Sequence, residues 1–260
     1  MGFTCGIVGL PNSGKSTLFN ALTCAGADVA PYPFCTVNPK EAITPVPDSR
    51  LARLGEMFSP PKITPSTLTF VDIAGLVKGA HTGEGLGNRF LSHIREVDAL
   101  CYVVRSFQDG KVAHVSGKVN AVDDFDIVHS ELLLADLETI SRRREKADKL
   151  ARVGDKESKK AAETLQRFEA SLSRGIPAAK VPLSDAKEKE LIDGLFLLTS
   201  KPAFIVVNIG EEQVGREAEL VEPVKGHVRG MGIPILAISA KVEMELAELP
   251  EPDRAEFMAA

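Results

Sequence analysis

The sequence has no apolar run approaching the ~20 residues needed to cross a bilayer, no CxxC pair among its four cysteines, and no surplus of basic over acidic residues. Each absence removes a class of function. Without a long apolar run the chain is not expected to span a membrane. Its first residues enter a strand-like run at once, which leaves no room for a signal peptide. Cys5, Cys24, Cys35 and Cys101 are scattered, and two of them sit in apolar runs, so buried free thiols are expected rather than metal ligands or disulfides. Together these features predict a cytoplasmic setting. The net charge of −5 argues against a surface that binds nucleic acid everywhere. What is present is the material for a core: 44% hydrophobic and 26% charged residues across 260 positions, enough for one large domain or a core with an insertion.

The chain is organised around Gly9-Leu10-Pro11-Asn12-Ser13-Gly14-Lys15-Ser16-Thr17, which fits G-x-x-x-x-G-K-[ST] at every fixed position. Thr4 to Val8 reads as a buried strand before it, and Ser16 to Thr23 as the first turns of a helix after it. Strand, glycine loop and helix in that order aim backbone N–H groups and the positive end of a helix dipole at one point. A triphosphate is the natural occupant. Lys15 is placed to reach its β- and γ-phosphates, and the Ser16 hydroxyl to ligate Mg²⁺.

Further along, Ala25 to Lys40 is rich in Gly, Pro and small residues, and Thr36 is the hydroxyl in it placed to reach a metal. Glu41 to Val46 reads as a strand and Asp48 to Met57 as a short helix. Thr67 to Asp72 is a second core strand ending in Asp72, followed by Gly75 at DxxG spacing. Downstream of a phosphate loop this reads as the aspartate that holds Mg²⁺ through water, with the Gly75 amide beside the γ-phosphate. A glycine-rich stretch to Gly87 follows, able to change shape with nucleotide state. Then come a helical run, Leu86 to Val97, and a third core strand, Asp98 to Arg105. Ser106 to Asp126 shows little pattern.

Residues 127–199 change character. Glu131 to Ala151 and Glu157 to Ser173 carry apolar residues at helical spacing, separated by Val153-Gly154-Asp155, and predict an antiparallel helical hairpin. A third helix is expected from Asp185 to Leu198. Between Ser141 and Lys160 there are nine Lys/Arg against four Asp/Glu, a local excess of +5. Such a face is either a solvated helix surface or a basic tip that meets RNA phosphates.

Ala203 to Val207 is a fourth strand, followed by Asn208-Ile209-Gly210-Glu211. Guanine-specific proteins of this architecture carry N-K-x-D here, its aspartate accepting two hydrogen bonds from guanine. Ile209 replaces the lysine and Glu211, one methylene longer, the aspartate. Pro234 to Ile238 is a fifth strand ending at Ser239-Ala240-Lys241, where a base-contacting loop is expected. A helix from about Val242 breaks at Pro250 and Pro252 and restarts at Asp253.

Gly9 to Thr17, Tyr32 to Thr36, Asp72 to Gly87, His114 to Val119 and Asn208 to Glu211 occur together and in order. In this the sequence resembles the YchF/Obg-like ATPase family. The resemblance implies an α/β Ras-like P-loop core with a mainly parallel sheet (1–126 and 200–260), an inserted helical hairpin (127–199), and a C-terminal TGS domain that does not follow Ala260. It implies hydrolysis of ATP in preference to GTP, with Mg²⁺, and binding to ribosomes, the large subunit and rRNA engaged by the basic hairpin. It places Asn12, Ser13, Gly14, Lys15, Ser16 and Thr17 at the phosphates, Ser16 and Thr36 at Mg²⁺ with Asp72 through water, and Asn208 and Ile209 at adenine, with Glu211 and Ser239 beside the base. The expected activity is that of a slow ATPase. The alternatives are a nucleotide-gated ribosome-binding module in which hydrolysis is incidental, or an Obg-type GTPase. Ras-type enzymes place a glutamine after the DxxG glycine to orient water; here Leu76 stands there. His81, His114, a backbone group or a K⁺ ion are the candidates to replace it.

Overall fold

The computed structural model describes residues 2–27, 41–73, 86–109, 114 and 117–259. The expectations placed on Thr36, Gly75, Leu76 and His81 fall outside them. Six strands, β1 (Phe3–Val8), β2 (Glu41–Pro45), β3 (Thr67–Asp72), β4 (Ala99–Arg105), β5 (Ala203–Asn208) and β6 (Ile235–Ile238), form one sheet in the order β2-β3-β1-β4-β5-β6. Every pairing is parallel except β2 with β3. The architecture is the α/β, mainly parallel P-loop core that the sequence predicts. β4 is buried along its whole length, as an apolar strand covered by helices on both faces must be. Its parallel neighbours β1 and β5 end beside it at one edge, where ligands of open α/β sheets bind.

The helices are α1 (Lys15–Ala27), α2 (Ser49–Phe58), α3 (Leu86–Glu96), α4 (Ala121–Arg152), α5 (Lys156–Leu172), α6 (Ala186–Asp193), α7 (Glu217–His227), α8 (Ala240–Glu248) and α9 (Glu251–Ala259). α4 corrects the sequence reading most. Its 32 residues begin inside the stretch that shows little pattern, with Asn120 capping the Val122 N–H. The sequence-based boundary at residue 127 therefore falls within a continuous helix about 48 Å long, at 1.5 Å per residue. Phe125, Val128 and Leu132 pack into the core against the sheet, and Leu133 and Ile140 into a second core with Leu165, Phe168 and Leu172 of α5. Gly154 turns the chain between α4 and α5 at φ +94°, a conformation open to glycine, and Asp155 caps α5 through the Glu157 and Ser158 amides.

Asp136 fixes α4 to the strand layer. It is fully buried and accepts hydrogen bonds from the Leu198 N–H, the Thr199 N–H (both 2.8 Å) and the Thr199 hydroxyl (2.7 Å), just before β5. Three donors on one carboxylate offset its burial. The third expected helix is shorter than Asp185 to Leu198: α6 stops at Asp193, and Phe196 turns at φ +50°. α7 is absent from the sequence reading, because Pro223 interrupts its pattern although the helix tolerates it. α8 begins at Ala240 and α9 at Glu251, both ahead of the expected Val242 and Asp253; Pro252 falls in the first turn of α9, where its missing N–H has no helical partner to lose. Cys5 and Cys101 are buried free thiols, pushed up by burial, as expected.

Candidate nucleotide site

The loop after β1 and the loops after β4, β5 and β6 surround a cavity of about 770 Å³. Asn12, Gly14, Lys15, Ser16 and Thr17 form one side, Phe107 to Asp109 a second, and Asn208 to Glu212 with Ser239, Ala240, Lys241 and Met244 a third. Residues far apart in the chain thus converge at one end of the sheet. Asn12, Gly14, Lys15, Ser16, Thr17, Asn208, Ile209, Glu211 and Ser239 all line this one cavity. Ser13 is buried in the turn, its N–H donating to Leu10 O at 3.3 Å, and its hydroxyl has no partner among the described residues.

The loop's shape is set by close approaches that leave no room for a side chain. At Gly14 (φ +95°) an added Cβ would sit 2.0 Å from Asn208 Nδ2; at Gly9 it would meet the Val103 carbonyl oxygen at 2.4 Å. Lys15, largely buried, donates from Nζ to Leu10 O at 2.7 Å. Burial lowers its pKa to about 8, with Asp72 acting in the opposite direction. Ser16 Oγ donates to Asp72 Oδ2 at 3.1 Å, so the last residue of β3 meets the first turn of α1. A hydroxyl and a carboxylate side by side are hard oxygen donors of the kind Mg²⁺ takes. Two such donors would leave most of an ion's coordination sphere to phosphate oxygens and water.

The base-side residues differ from expectation in detail. Both polar groups of the Asn208 side chain are committed within the protein: Nδ2 donates to Ser13 O at 2.9 Å, and Oδ1 accepts from the Ala240 N–H at 3.0 Å. Asn208 therefore ties the phosphate loop to the loop after β6. Ile209 is buried and belongs to the core packed on the sheet, so its side chain is chiefly a core residue. Ser239 caps α8, its hydroxyl accepting from the Val242 N–H at 3.5 Å. At the rim, Glu211 is paired with the Lys241 ammonium.

His114 is placed away from the cavity lining. Its Nε2 lies 3.1 Å from Asp124 Oδ1 with its side chain buried, which joins it to the first turn of α4. Sequence reading missed Arg105, Phe107 and Asp124. Arg105 is buried at the end of β4, with its guanidinium carbon 4.2 Å above the Phe107 ring centre. Its backbone N–H donates to Asp124 Oδ2 at 3.3 Å. Burial pushes the Asp124 carboxyl up, against the bonds from His114 and Arg105. A signal for Arg105 does exist in the residue order: a lone arginine closes an otherwise apolar strand at the sheet edge where ligands bind.

These features define a P-loop nucleotide-binding domain of the GTPase fold. The family described as "50S ribosome-binding GTPase" matches residues 4–134. The chain is 46% identical over 260 residues to the "Ribosome-binding ATPase YchF" of Bacillus subtilis (strain 168), covering 99% of this chain and 71% of that protein, and 45% identical over 258 residues to its Escherichia coli O157:H7 namesake, covering 99% and 70%. The solved structure of the Schizosaccharomyces pombe YchF GTPase superposes with a TM-score of 0.84 at 36% identity, over 99% of this chain and 70% of that one. The chain belongs to the YchF family.

Proposed function

We propose that this chain binds ATP in preference to GTP, hydrolyses it slowly with Mg²⁺, and does so in association with ribosomes. The observation that carries the choice of base is the pairing of Glu211 with Lys241 at the cavity rim. A guanine reader needs a short carboxylate coplanar with the base; here the carboxylate is longer and already engaged. The related proteins' names divide between ATPase and GTPase, so the preference is inferred from the base loop. Lys15 would meet the β- and γ-phosphates, and the Gly14 to Thr17 amides would cradle them. Ser16 and Asp72, with Thr36, would hold Mg²⁺, which neutralises charge developing on the phosphates. Leu76 cannot hydrogen-bond to a water, so turnover is slow.

The relatives' names supply the ribosome, and the hairpin supplies a surface for it. Arg142 pairs with Glu138, and Arg144 with Glu169, within the hairpin. Arg143, Lys146, Lys149, Arg152, Lys156, Lys159 and Lys160 are exposed and make no ion pair among the described residues. They form a basic end to α4 and α5 suited to rRNA phosphates. This favours, as a second reading, a binding module gated by nucleotide with hydrolysis incidental. Phosphate release from ATP in Mg²⁺ and in EDTA, with co-sedimentation on ribosomes, tests the proposal. Mg²⁺-dependent release that Lys15→Ala abolishes supports the enzyme. Ribosome binding that responds to ATP without any release favours the module, and neither response contradicts both.

A further inference from the structure

Arg105 and Asn208 are register partners at the ends of β4 and β5, and each takes one of two successive carbonyls of the phosphate loop. Arg105 Nη1 donates to Asn12 O at 3.5 Å and Asn208 Nδ2 to Ser13 O at 2.9 Å. The two strand ends are latched together as well, since the Ser106 and Phe107 N–H groups both donate to Asn208 O (2.8 and 3.2 Å). A trans peptide points its N–H opposite to its C=O. Holding the Ser13 carbonyl against the strands therefore turns the Gly14 N–H the other way, and Gly14 lines the cavity. Asn12 needs the same support, because it stands at φ +64°, a conformation a side-chain-bearing residue adopts at some cost. The guanidinium is held in turn, by the Phe107 ring beneath it and by Nε donating to Phe107 O at 3.2 Å.

We propose that Arg105 is a positioning residue for phosphate binding: it fixes the Asn12 carbonyl and the Phe107 wall so that the loop amides face the ligand. Lysine cannot replace it fully, because a flat fork reaches two carbonyls while lying on a ring and an ammonium does not. The inference rests on the phosphate-loop reading above and not on the choice of base. A device acting on the phosphate loop affects ATP and GTP alike.

The test is calorimetric affinity for ATP and for GTP in Mg²⁺ buffer, with thermal unfolding in parallel, for Arg105→Met, Arg105→Lys, Asn208→Ala, the Arg105→Met/Asn208→Ala pair, and Leu132→Ala as a core control on α4. Arg105→Met is expected to weaken both nucleotides by the same factor, tenfold or more, and Arg105→Lys to recover part of it. The pair should lose less than the product of the single losses, because both side chains hold one loop. Leu132→Ala should lower the melting temperature and leave affinity alone. If Arg105→Met does not fold, Arg105→Lys carries the test, with a threefold or greater loss for both nucleotides at near-normal melting temperature. Wild-type affinity in a folded Arg105 variant overturns the proposal, as does an equal affinity loss in Leu132→Ala. Wild-type preference for GTP would refute the base reading while a common loss on both nucleotides still supported Arg105.

Discussion

The Lys15 ammonium donates to the Leu10 carbonyl oxygen 2.7 Å away, within the same loop. The loop therefore holds its own cation over the cavity it lines. On the proposed reading, replacing Lys15 with alanine would remove charge-assisted bonds to the β- and γ-phosphates, each worth about 1.5–3 kcal/mol. ATP affinity should fall roughly 100-fold, at about 1.4 kcal/mol per decade. The fold should persist, because the change leaves one carbonyl without this donor and removes a buried charge. Calorimetry and circular dichroism on the variant check both parts.

Burial of Lys15 also has a signature in stability. Its pKa is lowered to about 8 in the folded chain against 10.5 unfolded. Below pH 8 both states hold the proton and the full penalty of burying the charge is present. Between pH 8 and 10.5 the unfolded chain binds the extra proton, so this group's contribution makes stability rise with pH. Urea unfolding of the wild type and Lys15→Met across that window should show the difference between them shrinking as pH rises. A difference independent of pH would contradict a buried, charged Lys15.

Gly14→Ala should be severe. The residue needs φ +95°, and its new Cβ would fall 2.0 Å from Asn208 Nδ2, whose bond to Ser13 O fixes the loop. Strain at such a position is of order 1–3 kcal/mol. A lower melting temperature and loss of nucleotide binding are expected together, whereas Gly226→Ala, within α7 and meeting nothing within 4 Å, should cause neither loss.

The basic hairpin end gives a prediction about salt. Replacing Arg143, Lys146, Lys149 and Arg152 with serine should weaken RNA or ribosome binding. The slope of log affinity against log salt should drop by about 0.7–0.9 for each phosphate that is no longer neutralised. These side chains are exposed and make no ion pair among the described residues, so the melting temperature should hold. Unchanged affinity and slope would leave the charges as a solvated surface.

Much of this protein is legible in its residue order because its chemistry is local. Gly14, Lys15 and Ser16 are consecutive, and Asp72 closes a strand whose bounds the apolar pattern marks. α4 is harder to read: its first turns pack on the sheet and its last on α5, so no single apolar stripe runs its length. Asn208 and Ile209 show the other limit. Their residue types mark a base loop, yet one is a clamp between Ser13 and Ala240 and the other is buried in the core. The Asn208 clamp depends on a partner 195 positions away, and spacing along the chain does not encode it. A lone Arg105 closing an apolar strand is visible in the residue order, but its carbonyl partner Asn12, 93 positions away, is not.

The proposed preference for adenine rests on a missing acceptor. Guanine's N1–H and 2-amino group need a coplanar carboxylate; Glu211 is one methylene too long and lies against Lys241. Each buried donor left unpaired costs about 1–3 kcal/mol. Side-by-side calorimetric titration of the wild-type chain with ATP and GTP in Mg²⁺ buffer measures this cost, with Ile209→Lys/Glu211→Asp as the converse. ATP should bind about tenfold or more tighter than GTP, and the preference should narrow or reverse in the double variant. Tighter binding of GTP by the wild-type chain would contradict an adenine-selective site.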